Sequence, residues 1–292
     1  MQNNYKNTPL FDMRVGITFY FFKDPNNFRK YFIEFFRDFE FLTKCKFLSY
    51  RHNKEAGMNK LKMSGIDYLV ELFNKADFNQ TQHLILSDGT KDNLQNYRLE
   101  MILRTIKPEY PIKSPNWIYF EIPLNTDFID VFSFMKNAFL GMTFYYACCN
   151  YILAQNDNLM PKSSSEAIKA IKQSRFLNDA YSVWLNPFFV KELEKGIDGV
   201  NYIQILSKEL YQKIGFEEII NNSNTDTYYH EFGEDYVALS LSEDSWPRVF
   251  DDILVNKYKS LYSVIKPIIL EIKKPLAYWK PDEWDFWIKR FS

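Results

Sequence analysis

Glycine and cysteine are scarce in this chain, at 9 and 3 of 292 residues, and only three histidines occur, His52, His83 and His230. Each shortage removes a class of chemistry. No P-loop, no GxGxxG, no GxSxG, no HExxH and no CxxC pair is present, so the usual nucleotide cradles, serine-hydrolase elbows and zinc frameworks are missing. None of the histidines has a companion at ligand spacing, and Tyr229-His230-Glu231 would point its neighbours to opposite sides of an extended chain. Three cysteines, two of them adjacent at Cys148 and Cys149 and the third far away at Cys45, make no disulfide framework and fit a reducing compartment. In the uncharged stretch around Cys148 and Cys149 a thiol stays protonated and inert. Charge of one sign is also lacking: 36 basic side chains face 37 acidic ones, a formal net charge of −1, so no global basic field would hold nucleic acid. The opening residues MQNNYKNTPLFDMRVG carry no apolar core of signal-peptide length, which predicts a cytoplasmic protein.

What is abundant is hydrophobic and aromatic side chains, 46% and 18% of the residues. That composition specifies a folded chain with a large core. The length suits one domain spanning 1–292, and the Pro- and Ser-containing stretch 157–165 is the best point at which to divide it into two lobes. Three strand, turn and helix phrases recur. Val15 to Phe22 is followed by a Lys23–Asn27 turn and phenylalanines 28, 32, 35, 36 and 39 at helical spacing. Trp117 to Pro123 is followed by the cap signal Asn125-Thr126-Asp127 and a helix through Val131, Phe134, Met135 and Ala138. Tyr236 to Leu241 is followed by Ser242–Ser245 and a helix from about Val249 to Ile265. Weaker signals suggest a strand at His83–Leu86, a short helix or strand at Ile66–Phe73, and helices near Ser165–Lys172 and Asn186–Glu194. The aromatic tail with Trp279, Trp284, Trp287 and Phe291 predicts a short docked helix. Asn137 to Asn156 is uncharged over twenty residues, and its polar interruptions favour a buried core helix over a membrane span. The expected fold is α+β: strand-turn-helix units around an antiparallel or mixed sheet, with long helices packed on it.

Charge is unevenly spread. From Glu217 to Asp252, ten acidic residues face Arg248 alone, a net of −9, whereas Met1 to Lys62 nets +6. Aromatics interleave the acidic stretch, so Tyr228, Tyr229, Glu231, Glu234, Asp235, Glu243, Asp244 and Trp246 are the candidate contacts for a basic protein partner. A solvated loop is the bland reading of the same residues. Basic and aromatic residues near Lys44–Lys62 have the density of an ordinary helix surface, so no nucleic-acid partner is expected from them. No catalytic, cofactor or metal site is marked. An Asp/Glu acid–base pair would leave no sequence signature, which keeps an enzyme with an unmarked carboxylate site as one alternative. An interaction module unrelated to toxins is another.

Five stretches occur in an order that resembles the type VI secretion immunity family, the TsiV-like proteins. They are Arg14–Phe21, Trp117–Pro123, Gly141–Tyr145, Trp184–Leu193, and Ala238–Leu241 running through Asp244 to the last long helix. The resemblance covers about residues 14 to 270 and rests on order and spacing. Two departures stand out: Gly196-Ile197-Asp198-Gly199 replaces the double glycine of relatives, and MTFYYACC replaces a glycine-rich stretch. The resemblance implies a protein that binds a cognate effector toxin and occludes its active site without chemistry or cofactor. Together with the missing signal peptide it points to a toxin acting in the cytoplasm.

Overall fold

The computed structural model describes residues 11–53, 55, 57–89, 93–106, 115–155, 162–174, 176, 178–179, 193–197, 199–215, 227–247, 249–270 and 280–292. Eleven strands form one sheet: β1 (Phe11–Phe21), β2 (Ser49–His52), β3 (Asn59–Lys60), β4 (Gln82–Ser87), β5 (Arg98–Leu103), β6 (Asn116–Ile122), β7 (Tyr146–Gln155), β8 (Asn178–Asp179), β9 (Ile203–Ser207), β10 (Tyr228–Phe232) and β11 (Tyr236–Ser240). Their order is β10-β11-β9-β7-β1-β6-β5-β4-β2-β3, with β8 added beside β7. Every pairing is antiparallel apart from β7 with β8. The helices are α1 (Arg29–Thr43), α2 (Gly65–Lys75), α3 (Phe128–Gly141), α4 (Lys162–Lys172), α5 (Lys208–Tyr211), α6 (Asp252–Ile265) and α7 (Pro281–Ile288).

This arrangement overturns the expected architecture. The strand-turn-helix phrases are not units with long helices laid on a sheet; their strands β1, β6 and β11 all belong to one continuous sheet that dominates the fold. The helices are four to fifteen residues long; α1 to α5 are inserts between its strands, and α6 and α7 follow β11. The uncharged run at Asn137–Asn156 is a second correction. Its first residues end α3, and Tyr146–Gln155 is β7, a strand buried along its whole length between β1 and β9. A strand covered on both faces needs no polar alternation, so its pattern imitates a buried helix. No helix among the described residues is long and apolar enough to cross a membrane.

Local chemistry explains where the helices start. Asp127 accepts hydrogen bonds from the Ile129 and Asp130 amides at the head of α3, Ser64 caps α2, and Asp251 caps α6, which starts at Asp252, three residues after Val249. Lys162 already lies in α4, so the stretch 157–165 is not a linker throughout; residues 156–161 lie outside the described residues, as do 180–192, which hold most of the helix expected at Asn186–Glu194. The C-terminal α7 docks as expected, with Phe291 stacked on Tyr258 of α6 at 4.3 Å and Trp287 buried, while Trp279 falls outside the described residues. Gly196 marks a close approach: any Cβ there would collide with the Ile268 carbonyl beside the Ile197–Ile269 bridge.

Alternation along β1 sorts the sheet into two faces. Val15, Ile17, Phe19 and Phe21 face an aromatic core, where Phe19 meets Phe35 of α1 at 5.2 Å and Phe134 of α3 at 5.9 Å. The opposite face is unusually polar for a buried surface, and it is there that the charged groups collect.

Candidate functional site

Register brings Arg98 and Glu100 of β5 beside Glu121 and Tyr119 of β6, with His83 of β4 on the same face. Arg98 is fully buried and donates to Glu100 at 2.6 Å; the other Glu100 oxygen lies 2.8 Å from His83 Nε2. Tyr119 donates its hydroxyl proton to Glu121 at 2.9 Å, and Gln95 bridges Glu121 to the Gln155 carbonyl. Burial, the largest influence on Glu100, works to raise its carboxyl, but the Arg98 charge and the His83 contact outweigh it and hold the group at about 2. A carboxylate so held is ionised at any ordinary pH and already engaged on both oxygens. It ties β4 to β5 and does not suit a proton donor. A second buried chain runs from the Tyr258 hydroxyl to Asn150 Oδ1, from the Asn150 amide to Asn201, and from the Asn201 amide to the Tyr146 hydroxyl. Sequence reading missed both networks, because partners from different strands share no spacing. The three cysteines are buried and form no disulfide, and burial pushes Cys45 up to about 11 and Cys149 well above the usual thiol range.

The candidate contact residues fall on the β10–β11 hairpin and the loop after it. β10 stands at one end of the sheet order, so its outer edge carries no described strand. Gly233, at φ +62°, makes the turn that puts Glu234 and Asp235 at the hairpin tip. Glu243 and Asp244, both exposed, follow β11 at the other end, about 15 Å away by the rise of five strand residues. The set is therefore two groups and not one continuous acidic surface. Tyr228 belongs with the second group, 38% exposed, with Lys257 Nζ 5.8 Å from its ring. Tyr229 is partly buried against the core, and Glu231 is paired through its backbone with Val237. Trp246 turns inward: its indole donates to the Thr126 carbonyl at 2.8 Å, and its ring packs on Phe128, Tyr151 and Tyr202. It holds the loop rather than offering a face.

Lysines from other elements temper the acidic stretch. Lys208 lies 3.6 Å from Asp235, and Lys136 of α3 sits 5.5 Å from the rings of both Phe132 and Phe232. His230 lies 5.0 Å from the Phe132 ring, and its buried Nε2 has no hydrogen-bond partner among the described residues. Burial first and Lys136 second hold its pKa below the usual value, against the pull of Glu243. Beside the tip a cleft of about 840 Å³ is lined by Lys23, Tyr145, Glu194, Lys208, Lys213 and Asp235. Among the described residues no group of three His, Cys, Asp or Glu side chains could hold a metal ion.

No protein-family model and no curated protein matches this sequence. The fold has a solved counterpart. The Pseudomonas aeruginosa T6SS protein PA0821 superposes with a TM-score of 0.75 at 13% identity, over 100% of this chain and 85% of that one. At that identity the likeness is one of fold, and it spans the sheet from β10 to β3. A shared core of this size accommodates wide sequence change provided its volume and patterning are kept.

Proposed function

We propose that the chain is an immunity-type protein of a type VI secretion system, which binds and neutralises a cognate effector acting in the cytoplasm, with no chemistry of its own. The observation that carries this reading is the whole-chain fold likeness to a protein described as belonging to that system. The order of segments from Arg14 to Asp244 supports it from the sequence side. The hairpin supports binding as the mode: an outer strand, an exposed Tyr228 and two flanking acidic groups make an anchor with charged surroundings. A catalytic reading based on the buried carboxylates has less support, since Glu100 is occupied by Arg98 and His83.

The test is co-purification with the product of the gene adjoining its own, followed by association kinetics. Tyr228→Ala should speed dissociation at least tenfold, and the double reversal Glu234→Lys/Asp235→Lys should slow association strongly at low salt and weakly at high salt. Kinetics indifferent to both variants would remove the hairpin from the interface. Failure of the neighbouring gene product to bind at all would defeat the immunity reading.

A further inference from the structure

At the far end of the sheet from the hairpin, β2, β3 and α2 enclose a cleft of about 480 Å³. The sequence suggested an ordinary helix surface around Lys44–Lys62; the chain instead folds β2 and β3 here as strands, with Lys62 in the connection to α2. Two aromatic rings make the wall, Tyr50 of β2 and Tyr68 of α2, with centroids 4.6 Å apart and planes inclined by 38°. Lys60 and Lys62 stand at the rim, both exposed and in no ion pair among the described residues. The remaining charges of the lining cancel or are engaged: Lys75 pairs with Glu71, and Asp77 accepts from the backbone and side chain of Asn79.

The deeper polar groups are fixed by their own hydrogen bonds. Gln82, 7% exposed, donates its amide protons to the carbonyls of Asp77 and Gln80, which turns its oxygen toward His52. That oxygen lies 3.0 Å from His52 Nε2, so Nε2 carries a proton and Nδ1 is left as the ring's other polar atom. The Tyr68 hydroxyl is a standing donor, since burial first and the neighbouring Tyr50, Glu55 and Glu71 second push it up to about 12.

We propose that this cleft binds a nucleoside monophosphate, with the base against the Tyr50–Tyr68 wall and the phosphate between Lys60 and Lys62. Aromatic faces take bases of any identity by stacking, and two free ammonium groups supply the phosphate with charge. The volume falls within the range of small-molecule sites and suits one nucleotide, which favours a free mononucleotide over a strand that needs a longer basic track. This site lies at the opposite end of the sheet from the hairpin, and its test is independent of the toxin-binding reading.

Calorimetric titration of the full chain with AMP, GMP and UMP is the decisive experiment, with adenosine, inorganic phosphate and a six-residue oligoadenylate as separate arms. Saturable binding of the monophosphates is expected, at least tenfold tighter than adenosine or phosphate alone. Lys60→Ala/Lys62→Ala should weaken it tenfold or more and abolish most of its salt dependence, and Tyr50→Leu should weaken it about tenfold with the charge dependence intact. Unchanged thermal melting of the lysine variant would show that the fold is kept. No saturable binding of any monophosphate, or binding indifferent to both variants, overturns the proposal. Oligoadenylate bound more than tenfold tighter than AMP would overturn it in favour of a strand.

Discussion

Glu100 illustrates how a charge survives in a sheet interior. Water is replaced by one guanidinium and one imidazole, and the desolvation cost is offset only while both remain. Because its folded pKa, about 2, lies below the usual 4.5, the unfolded chain binds more protons between those values. Stability contributed by this group is thus complete above about pH 4.5 and is lost as pH falls through about 2. Glu100→Gln should destabilise the protein by about 3–5 kcal/mol, since it removes the carboxylate charge that Arg98 and His83 both contact in the sheet interior. It should also flatten the acid limb of stability against pH, read by denaturant melts from pH 2.5 to 6. An acid limb as steep as that of the parent chain would assign it to other carboxylates. The network was not legible in the sequence, because Arg98 and Glu100, two apart on β5, meet Glu121 and His83 only through strand register. Trp246 carries a similar lesson: its position in an acidic stretch suggests a binding anchor, and the sequence does not show the three aromatic rings from other elements that its ring packs against.

Among the elements, those with local start signals were the readable ones. Asp127 and Asp251 announce α3 and α6, and the β-branched and aromatic runs of β1 and β6 are unambiguous. β7 was hidden because a doubly covered strand loses its alternation. The sequence suggests one acidic contact surface for these residues; their separation into two groups depends on a turn at Gly233 and a five-residue strand. At this scale His230 sets a pH dependence. Its pKa is lowered in the folded state, so protonation favours the unfolded chain: the packing of β10 on α3 is complete above about pH 6.5 and weakens as pH falls below that value. Amide exchange in Tyr228–Phe232 should slow less between pH 7.5 and 5.5 than base-catalysed exchange does intrinsically, and His230→Gln should restore the intrinsic slope. Exchange that tracks the intrinsic rate alone would show that the imidazole bears no strain there.

Across the whole molecule, β1 is the strand on which the sheet is built, and its partners arrive late. Residues Val15–Phe21 pair with Asn116–Ile122, and Phe11–Tyr20 pair with Tyr146–Gln155. Some of the most hydrophobic sequence in the chain is therefore synthesised well before the two strands that shelter it. At about 5–20 residues per second, a ribosome leaves β1 without either neighbour for roughly 5–20 seconds. Nascent chains stalled before residue 116 should be protease-sensitive throughout and retained by chaperones that bind extended apolar segments. Chains stalled about 40 residues beyond Gln155, enough to clear the ribosome, should release those chaperones and protect Phe11–Phe21. Early protection would mean that β1 finds shelter elsewhere before its sheet exists. The central position of the first strand thus makes biogenesis, more than the finished fold, the vulnerable stage of this protein's life.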